Sequence, residues 1–380
     1  MKDNSTLRLI GLCLTLGLHP ERKEELQQLF TSKSVDLGKL VKAGSDQLVL
    51  PAMYLQLKNA ALLEYLPDEL TEHLDNITQL NRERNQQIMK QVKEISSLLN
   101  NNGIQPVFLK GTAHLLLNLY NDPAERMVGD IDFLVPEEKM ILVAELLTKL
   151  GFDPLIKYKS AIHKTLKHYP RLVNYSYPAA IEIHREVILA PYDKKFNARE
   201  ILAGKKNVPE NPEMFVPSTR HLIIHNMLNA QINDYAYKNR IILLRQMYDL
   251  MLLAGKEDPQ KALNEFGKCP KLSNAWLAVT SRVLDLPNEI GFDETTSLRS
   301  YLRGFFFFQK HPGVTILYRS IVYLLQRTWR YISLSVKAIF NKDVRSGLWA
   351  RISDPKWYGK HIESYSDYFR PYRKFKEKQD

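Results

Sequence analysis

Two aspartates lie two residues apart in a strand-forming stretch of the chain. Asp130 and Asp132 alternate with Ile131 and Phe133. Alternate side chains of a strand point to the same face, so both carboxylates are expected side by side. Neighbouring carboxylates repel each other unless a cation lies between them. Mg²⁺ suits this arrangement, because it binds one or two carboxylates and completes its coordination with water and substrate phosphate. The spacing therefore predicts a magnesium site.

A Lys-Gly-Thr turn precedes the aspartates. Lys110, Gly111 and Thr112 separate an apolar strand at 107–109 from a short apolar helix at 113–120. Free backbone N–H groups and the positive end of the helix dipole favour an anion at such a turn. Strand, glycine turn, helix and acidic strand together predict a site for a metal-bound nucleotide. The alternative is that both motifs are ordinary surface turns.

These residues resemble a known signature. The segments LKGT at 109–112 and GDIDFLV at 129–135, with Arg126 between them, are similar to the nucleotidyltransferase superfamily that includes DNA polymerase β. They resemble more closely a bacterial group of uncharacterised nucleotidyltransferases. The resemblance covers roughly residues 80 to 255 and is specific in its first half.

The resemblance implies roles for individual residues. Gly111 and Thr112 would hold nucleotide phosphates, although the superfamily has serine where this chain has Thr112. Asp130 and Asp132 would hold two Mg²⁺ ions. The resemblance also assigns Lys110, Arg126 and Gly129 to nucleotide binding. The alternative for Lys110 and Arg126 is that their charged side chains are exposed to solvent.

The resemblance also implies a third carboxylate on a later strand. Glu182 is the best candidate, in the alternating stretch AIEIH at 180–184. The bacterial group commonly has Asp-x-His here, so Glu182 is a departure, but its longer side chain should still reach a metal or a nucleophile hydroxyl. His184 shares the face of Glu182 and is a candidate acceptor-side residue. The alternatives are a surface glutamate and a structural histidine.

Two further charged residues lie one helical turn apart. Arg245 and Asp249 fall in a helix predicted over 237–254. They are either an ion pair on the helix surface or a pair that faces the nucleotide or the acceptor. We treat both as candidate acceptor-side residues.

The composition is that of a globular protein. Of 380 residues, 44% are hydrophobic and 25% charged, which is ordinary for this class. Cys13 and Cys269 have no metal-ligand spacing and indicate reduced thiols in a cytoplasmic protein, with peripheral membrane contact left open. No run of eighteen apolar residues predicts a membrane span.

The order of elements predicts an α+β fold, with a small mixed-sheet nucleotidyltransferase core between helical regions. The predicted divisions are an N-terminal helical region at 1–103, the core at 104–190, a loop or linker at 191–217, a helical domain at 218–309 and a basic, aromatic-rich segment at 310–380. The pattern is helical throughout 51–100, with the polar residues 81–84 on a solvated face. Strands are expected at 152–159, 167–175 and 179–185.

Positive charge is concentrated at one end. Residues 310–380 contain fifteen Lys and Arg against six Asp and Glu, a net charge of +9 of the chain's +11. The stretch 314–340 is amphipathic, which favours a packing helix, with contact to an anionic membrane surface or to nucleic acid as alternatives. The four consecutive phenylalanines at 305–308 cannot share one helix face, so some must pack against a partner element, another chain or lipid.

Two functions are consistent with the sequence. The favoured one is a Mg²⁺-dependent nucleotidyltransferase that transfers a nucleoside monophosphate from a nucleoside triphosphate to a hydroxyl, on a small molecule or protein rather than on RNA. The alternative is a non-catalytic nucleotide- or partner-binding module that uses its basic segment for membrane or nucleic-acid contact. A repulsive acidic cluster favours the enzyme, because a binding module has no need of it.

Overall fold

The computed structural model describes residues 6–32, 34–155, 167–189, 192–355 and 359. Its helices are α1 Thr6–Leu14, α2 Lys23–Thr31, α3 Leu37–Asp46, α4 Leu50–Asn59, α5 Asp68–Asn101, α6 Lys110–Leu116, α7 Met140–Lys149, α8 Ala198–Ala203, α9 Thr219–Leu228, α10 Ala236–Asn239, α11 Leu244–Ala254, α12 Pro259–Phe266, α13 Pro270–Val283, α14 Thr296–Lys310, α15 Pro312–Phe340 and α16 Lys342–Ile352. Short turns of 3-10 helix lie at Pro20–Arg22, Leu63–Tyr65, Pro123–Glu125, Glu137–Lys139 and Tyr192–Lys194, and a π-helical turn lies at Asn229–Asn233.

A mixed sheet lies at the centre of the described chain. Its strands are β1 Val107–Phe108, β2 Asp130–Leu134, β3 Asp153–Pro154, β4 Leu172–Val173, β5 Ala180–His184, β6 Lys206–Val208 and β7 Asn211–Val216. The seven strands lie in the order β3-β4-β5-β2-β1-β7-β6. β2 pairs with β5 in parallel and with β1 antiparallel, and β1 pairs with β7 in parallel. Helices flank this sheet, so the predicted α+β class is confirmed.

The long helix α5 delivers the chain to β1. Its buried positions recur at helical spacing, as at Ile88, Val92, Ile95 and Leu99. Asp68 and Glu69 occupy its first turn, where they complement the helix dipole. The stretch 51–100, whose pattern is helical throughout, is divided between α4 and α5. The chain leaves α4 at Asn59, takes a positive φ at Ala61 and passes through the 3-10 turn before α5 begins.

The segment 191–217, predicted as a loop or linker, contains α8, β6 and β7. β7 pairs with β1 at the register of Val107 with Phe215, so this segment completes one side of the sheet. Met214, Phe215 and Val216 are buried there. The sequence pattern of β7 gave only a weak indication of a strand. Three consecutive buried residues follow the exposed Pro212 and Glu213, without the alternation that is typical of a half-buried strand.

Two other predicted elements are shorter than expected. Within the strands predicted at 152–159 and 167–175, the described residues form only the two-residue strands β3 and β4, and 156–166 lie outside the described residues. The helix predicted over 237–254 is divided into α10 and α11. Arg240 takes a positive φ between the two, which a regular right-handed helix does not allow.

The contacts divide the chain into two compact units. Among the described residues, one unit lies within 6–155, 167–237 and 241–302 and contains the sheet; the other lies within 238–240 and 303–359 and contains α15. In the second unit Phe305 is buried, and Phe308 stacks on Tyr318 with ring centroids 4.3 Å apart, whereas Phe307 is exposed. The expectation that some of the four phenylalanines pack is confirmed. No helix among the described residues is long and apolar enough to cross a bilayer.

Candidate functional site

Adjacent parallel strands bring three predicted site residues together. In the register of β2 with β5, Asp132 lies beside Glu182, and His184 follows Glu182 on the same face. One ligand atom from each of the three lies within 4.8 Å of the others. His184 Nε2 is 2.8 Å from Asp132 Oδ1 and 3.5 Å from Glu182 Oε2. The alternation in each strand predicted that its site residues share one face, and the pairing of β2 with β5 joins the two faces in a single acidic cluster.

Asp132 is the most buried carboxylate of this cluster, with 7% of its surface exposed. The Lys110 ammonium donates to Asp132 Oδ1 at 2.6 Å. Burial acts to raise the pKa of Asp132, but Lys110 and His184 outweigh burial and hold that pKa well below its usual range. Asp132 is therefore ionised, and the Lys110 ammonium balances its charge.

Asp130 has a different partner, which sequence reasoning missed. Arg171 donates through Nη2 to Asp130 Oδ2 and lies 3.5 Å from Glu182 Oε1. Burial raises the pKa of Asp130, and the Arg171 charge acts in the opposite direction. No motif marks Arg171. It precedes β4, which pairs with β5, so only the order of strands in the sheet reveals its proximity.

The Lys-Gly-Thr turn has unusual backbone geometry at Lys110, whose φ is +51°. A left-handed conformation costs about 1 kcal/mol or more for a residue with a Cβ, and such strain is concentrated at functional sites. A Cβ on Gly111 would lie 3.1 Å from Val128 Cγ2 and 3.7 Å from the Arg126 guanidinium carbon. Thr112 is fully buried, and its hydroxyl has no hydrogen-bond partner. The turn is therefore closely packed and contains an unused polar atom.

The donor set fits a divalent cation. Asp132, Glu182 and His184 offer two carboxylates and an imidazole, and Asp130 adds a carboxylate next to them on β2. Carboxylate oxygens suit Mg²⁺, whereas the imidazole also suits transition metals such as Mn²⁺ and Zn²⁺. Asp130, Asp132 and Glu182, with His184 beside them, are the residues that would hold such an ion.

Arg126 and Asp249 form a buried ion pair, which differs from the pairings considered for the sequence. Arg126 Nη2 donates to Asp249 Oδ2 at 2.9 Å, and Tyr120 donates its hydroxyl to Asp249 Oδ1 at 2.5 Å. His114 Nδ1 lies 3.5 Å from Asp249 Oδ2. Arg126 is therefore not solvent-exposed, and the alternative of an Arg245–Asp249 surface pair was wrong. Arg245 Nη1 instead donates to the Met127 carbonyl at 3.0 Å.

Four of the predicted residues nevertheless line one cavity of about 60 Å³. The cavity lies among α6, α9 and α11 and the segment that precedes β2. Its lining consists of Lys110, His114, Arg126, Leu222, His225, Asn226, Asn229, Arg245, Gln246 and Asp249. Two predicted nucleotide-side residues, Lys110 and Arg126, thus meet two predicted acceptor-side residues, Arg245 and Asp249. The other predicted site residues, including Asp130, Glu182 and His184, are not part of the lining.

The polar residues of α5, predicted as a solvated face, hold the segment before β2. Asn81 is buried and donates to the Ala124 carbonyl at 2.7 Å. Arg84 donates to the carbonyls of Gly129 at 3.3 Å and Pro178 at 2.9 Å. Gly129 thus contacts α5 through its carbonyl, and a Cβ at this glycine would meet no atom within 4 Å. The prediction of simple solvation was wrong for Asn81 and Arg84.

A family comparison bears on this arrangement. The model of a family described as uncharacterised nucleotidyltransferases matches residues 33–273. The chain belongs to this nucleotidyltransferase family. The match includes β1 to β7, α5, α6, α9 and α11, and therefore every residue of the acidic cluster and of the cavity. No curated protein matches the chain.

Proposed function

We propose that the chain is a Mg²⁺-dependent nucleotidyltransferase of the superfamily that includes DNA polymerase β. It transfers a nucleoside monophosphate from a nucleoside triphosphate to a hydroxyl acceptor and releases pyrophosphate. The observation that supports this most strongly is the cluster of Asp132, Glu182 and His184 beside Asp130, in a member of a nucleotidyltransferase family. Three carboxylates on two adjacent strands concentrate negative charge, which a divalent cation would neutralise together with Lys110 and Arg171.

Each residue has a role that follows from its position. Asp130, Asp132 and Glu182 would hold the divalent cations, which neutralise charge at the reacting phosphate and activate the acceptor hydroxyl. The Lys110 ammonium, 2.6 Å from Asp132, is placed to contact a triphosphate that binds at this cluster. Gly111 and Thr112 contribute the backbone N–H and the unpartnered hydroxyl of the turn. Glu182 or His184 accepts the proton of the acceptor hydroxyl.

We favour a hydroxyl of a small molecule or protein as the acceptor. The experiment is to incubate the protein with nucleoside triphosphates labelled at the α-phosphate and a total cell extract, with Mg²⁺ or with EDTA. We expect Mg²⁺-dependent transfer of label into small molecules or protein, because the cluster binds the triphosphate through a divalent cation. Label that enters mainly RNA would contradict this acceptor class. Label that enters no fraction, together with nucleotide binding that ignores Mg²⁺, would favour the non-catalytic binding module.

The second unit has a feature that favours an additional role. Exposed apolar side chains recur along α15 at intervals of three or four residues, namely Ile321, Leu325, Trp329, Ile332, Val336 and Ile339. The basic residue Arg319 lies off this stripe and donates to the Asn239 and Arg240 carbonyls within the same unit. We propose that the stripe contacts an anionic membrane surface, because an exposed apolar face on a strongly basic segment has the chemistry of a peripheral membrane helix. With this contact, we propose that the protein is cytoplasmic and binds the membrane peripherally.

Replacement of the stripe's largest side chains tests this role. The double variant Leu325→Ser/Trp329→Ser is expected to sediment at least about tenfold less with phosphatidylserine-containing vesicles than the wild type, because each removed side chain contributes about 1.5–3 kcal/mol of apolar transfer. Leu80→Ser/Ile141→Ser removes exposed apolar residues from α5 and α7 and is the matched control. Equal sedimentation of both variants, or sedimentation with RNA instead of vesicles, would rule out the membrane role.

A further inference from the structure

The cavity between α6, α9 and α11 is lined by residues that carry buried polar atoms without hydrogen-bond partners. Arg126 Nε, Arg245 Nε and His225 Nε2 are buried and have no hydrogen-bond partner, and all three residues line the cavity. Arg126 and His225 are 5% and 3% exposed. A buried donor without an acceptor costs about 1–3 kcal/mol. Two guanidinium N–H donors and one imidazole nitrogen without partners, on residues that line one cavity, favour a ligand that supplies hydrogen-bond partners.

The charges of the lining favour an anion. Asp249 accepts a hydrogen bond from the Arg126 guanidinium, whereas Arg245 Nη1 donates to a neutral carbonyl. Burial, followed by repulsion from Arg126, lowers the pKa of Arg245 to about 10. The Lys110 ammonium at the edge of the cavity is already shared with Asp132. Among the described residues, Arg245 therefore has no carboxylate at ion-pair distance, and only the more distant carboxylates of Asp249 and Asp234 attract it.

We propose that this cavity is an oxyanion pocket that binds one phosphate group through Arg126, His225 and Arg245. A cavity of about 60 Å³ holds a group of a few heavy atoms and excludes a nucleoside. Guanidinium groups match phosphate in charge and in the geometry of their donors. The source of the phosphate rests on the proposed function: it is either the terminal phosphate of the nucleoside triphosphate or a phosphate group carried by the acceptor.

The first measurement uses inorganic phosphate in the presence of EDTA, at constant ionic strength, by titration calorimetry. The wild type is expected to bind phosphate, and Arg245→Gln to bind it at least about tenfold more weakly, because one charge-assisted contact is lost. Arg220→Gln, on the exposed side of α9, removes the same charge away from the cavity and is expected to bind like the wild type. Melting temperatures establish that both variants fold. Absence of phosphate binding by the wild type, or equal binding by Arg245→Gln, would overturn the pocket.

A second measurement separates this pocket from the proposed function and identifies the source of the phosphate. Asp130→Asn is expected to bind inorganic phosphate like the wild type, since Asp130 does not line the cavity. If the wild type binds phosphate but transfers no label, the proposed function is wrong and the pocket remains. If nucleoside triphosphate competes with phosphate for binding, and Arg245→Gln has a raised KM for the triphosphate, the pocket binds the terminal phosphate of the triphosphate. If the triphosphate and phosphate bind at the same time, and Arg245→Gln raises only the KM for the acceptor, the pocket binds a phosphate group of the acceptor.

Discussion

Asp130→Asn and Asp132→Asn are both expected to reduce nucleotidyl transfer by about a thousandfold or more, because each removes a charge that holds the divalent cation. Their effects on stability are expected to differ. Asp132 is buried and accepts hydrogen bonds from Lys110 and His184. A neutral amide weakens both bonds and leaves Lys110 without its counter-charge, at a cost of about 2–3 kcal/mol.

Asp130 is expected to tolerate the same change with a loss under about 1 kcal/mol. Its partner Arg171 is about one-third exposed, and an ion pair in contact with solvent contributes little. Burial also raises the pKa of Asp130, so the neutral form is the less costly one in the folded protein. Relief of the repulsion between neighbouring carboxylates thus applies to Asp130 and not to Asp132.

Turnover of labelled nucleotide and urea unfolding should be measured on the same preparations. Asp153→Asn, an exposed aspartate on β3 of the same sheet, is the matched control and is expected to change neither quantity. Full activity in either site variant would remove the metal cluster from the mechanism. Equal losses of stability at the two positions would contradict the assigned partners.

The acidic cluster could be predicted because it is encoded locally. The alternation around Asp130 and Asp132 and the alternation around Glu182 and His184 each define one face of one strand, and the parallel pairing of β2 with β5 joins the two faces. Local periodicity needs no knowledge of the remaining chain. For the same reason, the end of α5 and the position of β2 agree closely with the sequence pattern.

The partners of these carboxylates could not be predicted, because they depend on which strands and helices become neighbours. Arg171 reaches Asp130 only through the sheet order β4-β5-β2. Asn81 appears on the polar side of α5, yet it is buried because the segment before β2 crosses that side of the helix. Arg126 and Asp249 are 123 residues apart, and no spacing rule connects them. Polar residues that bond to backbone carbonyls look identical in sequence to solvated ones.

Asp249→Asn is expected to destabilise the protein by about 3–5 kcal/mol, which is the largest stability effect among these changes. Asp249 is 2% exposed and receives hydrogen bonds from Arg126 and Tyr120. Its neutral replacement leaves the buried Arg126 charge without compensation. Arg126→Met in the same chain is expected to restore part of the loss, because it removes that charge and fills a similar volume.

The same carboxylate predicts a dependence on pH. Burial acts to raise the pKa of Asp249, but Arg126 and His114 outweigh it and hold the pKa below its usual range. A group with a lowered pKa in the folded state stabilises the protein fully above its unfolded pKa of about 3.9, and this stabilisation is lost as the pH falls below that value. Urea unfolding between pH 7 and pH 2.5 should therefore show a steeper loss below pH 4 in the wild type and in Asp153→Asn than in Asp249→Asn. Parallel curves for the three proteins would show that Asp249 is not the group responsible, and the buried pair with Arg126 would then not account for acid sensitivity.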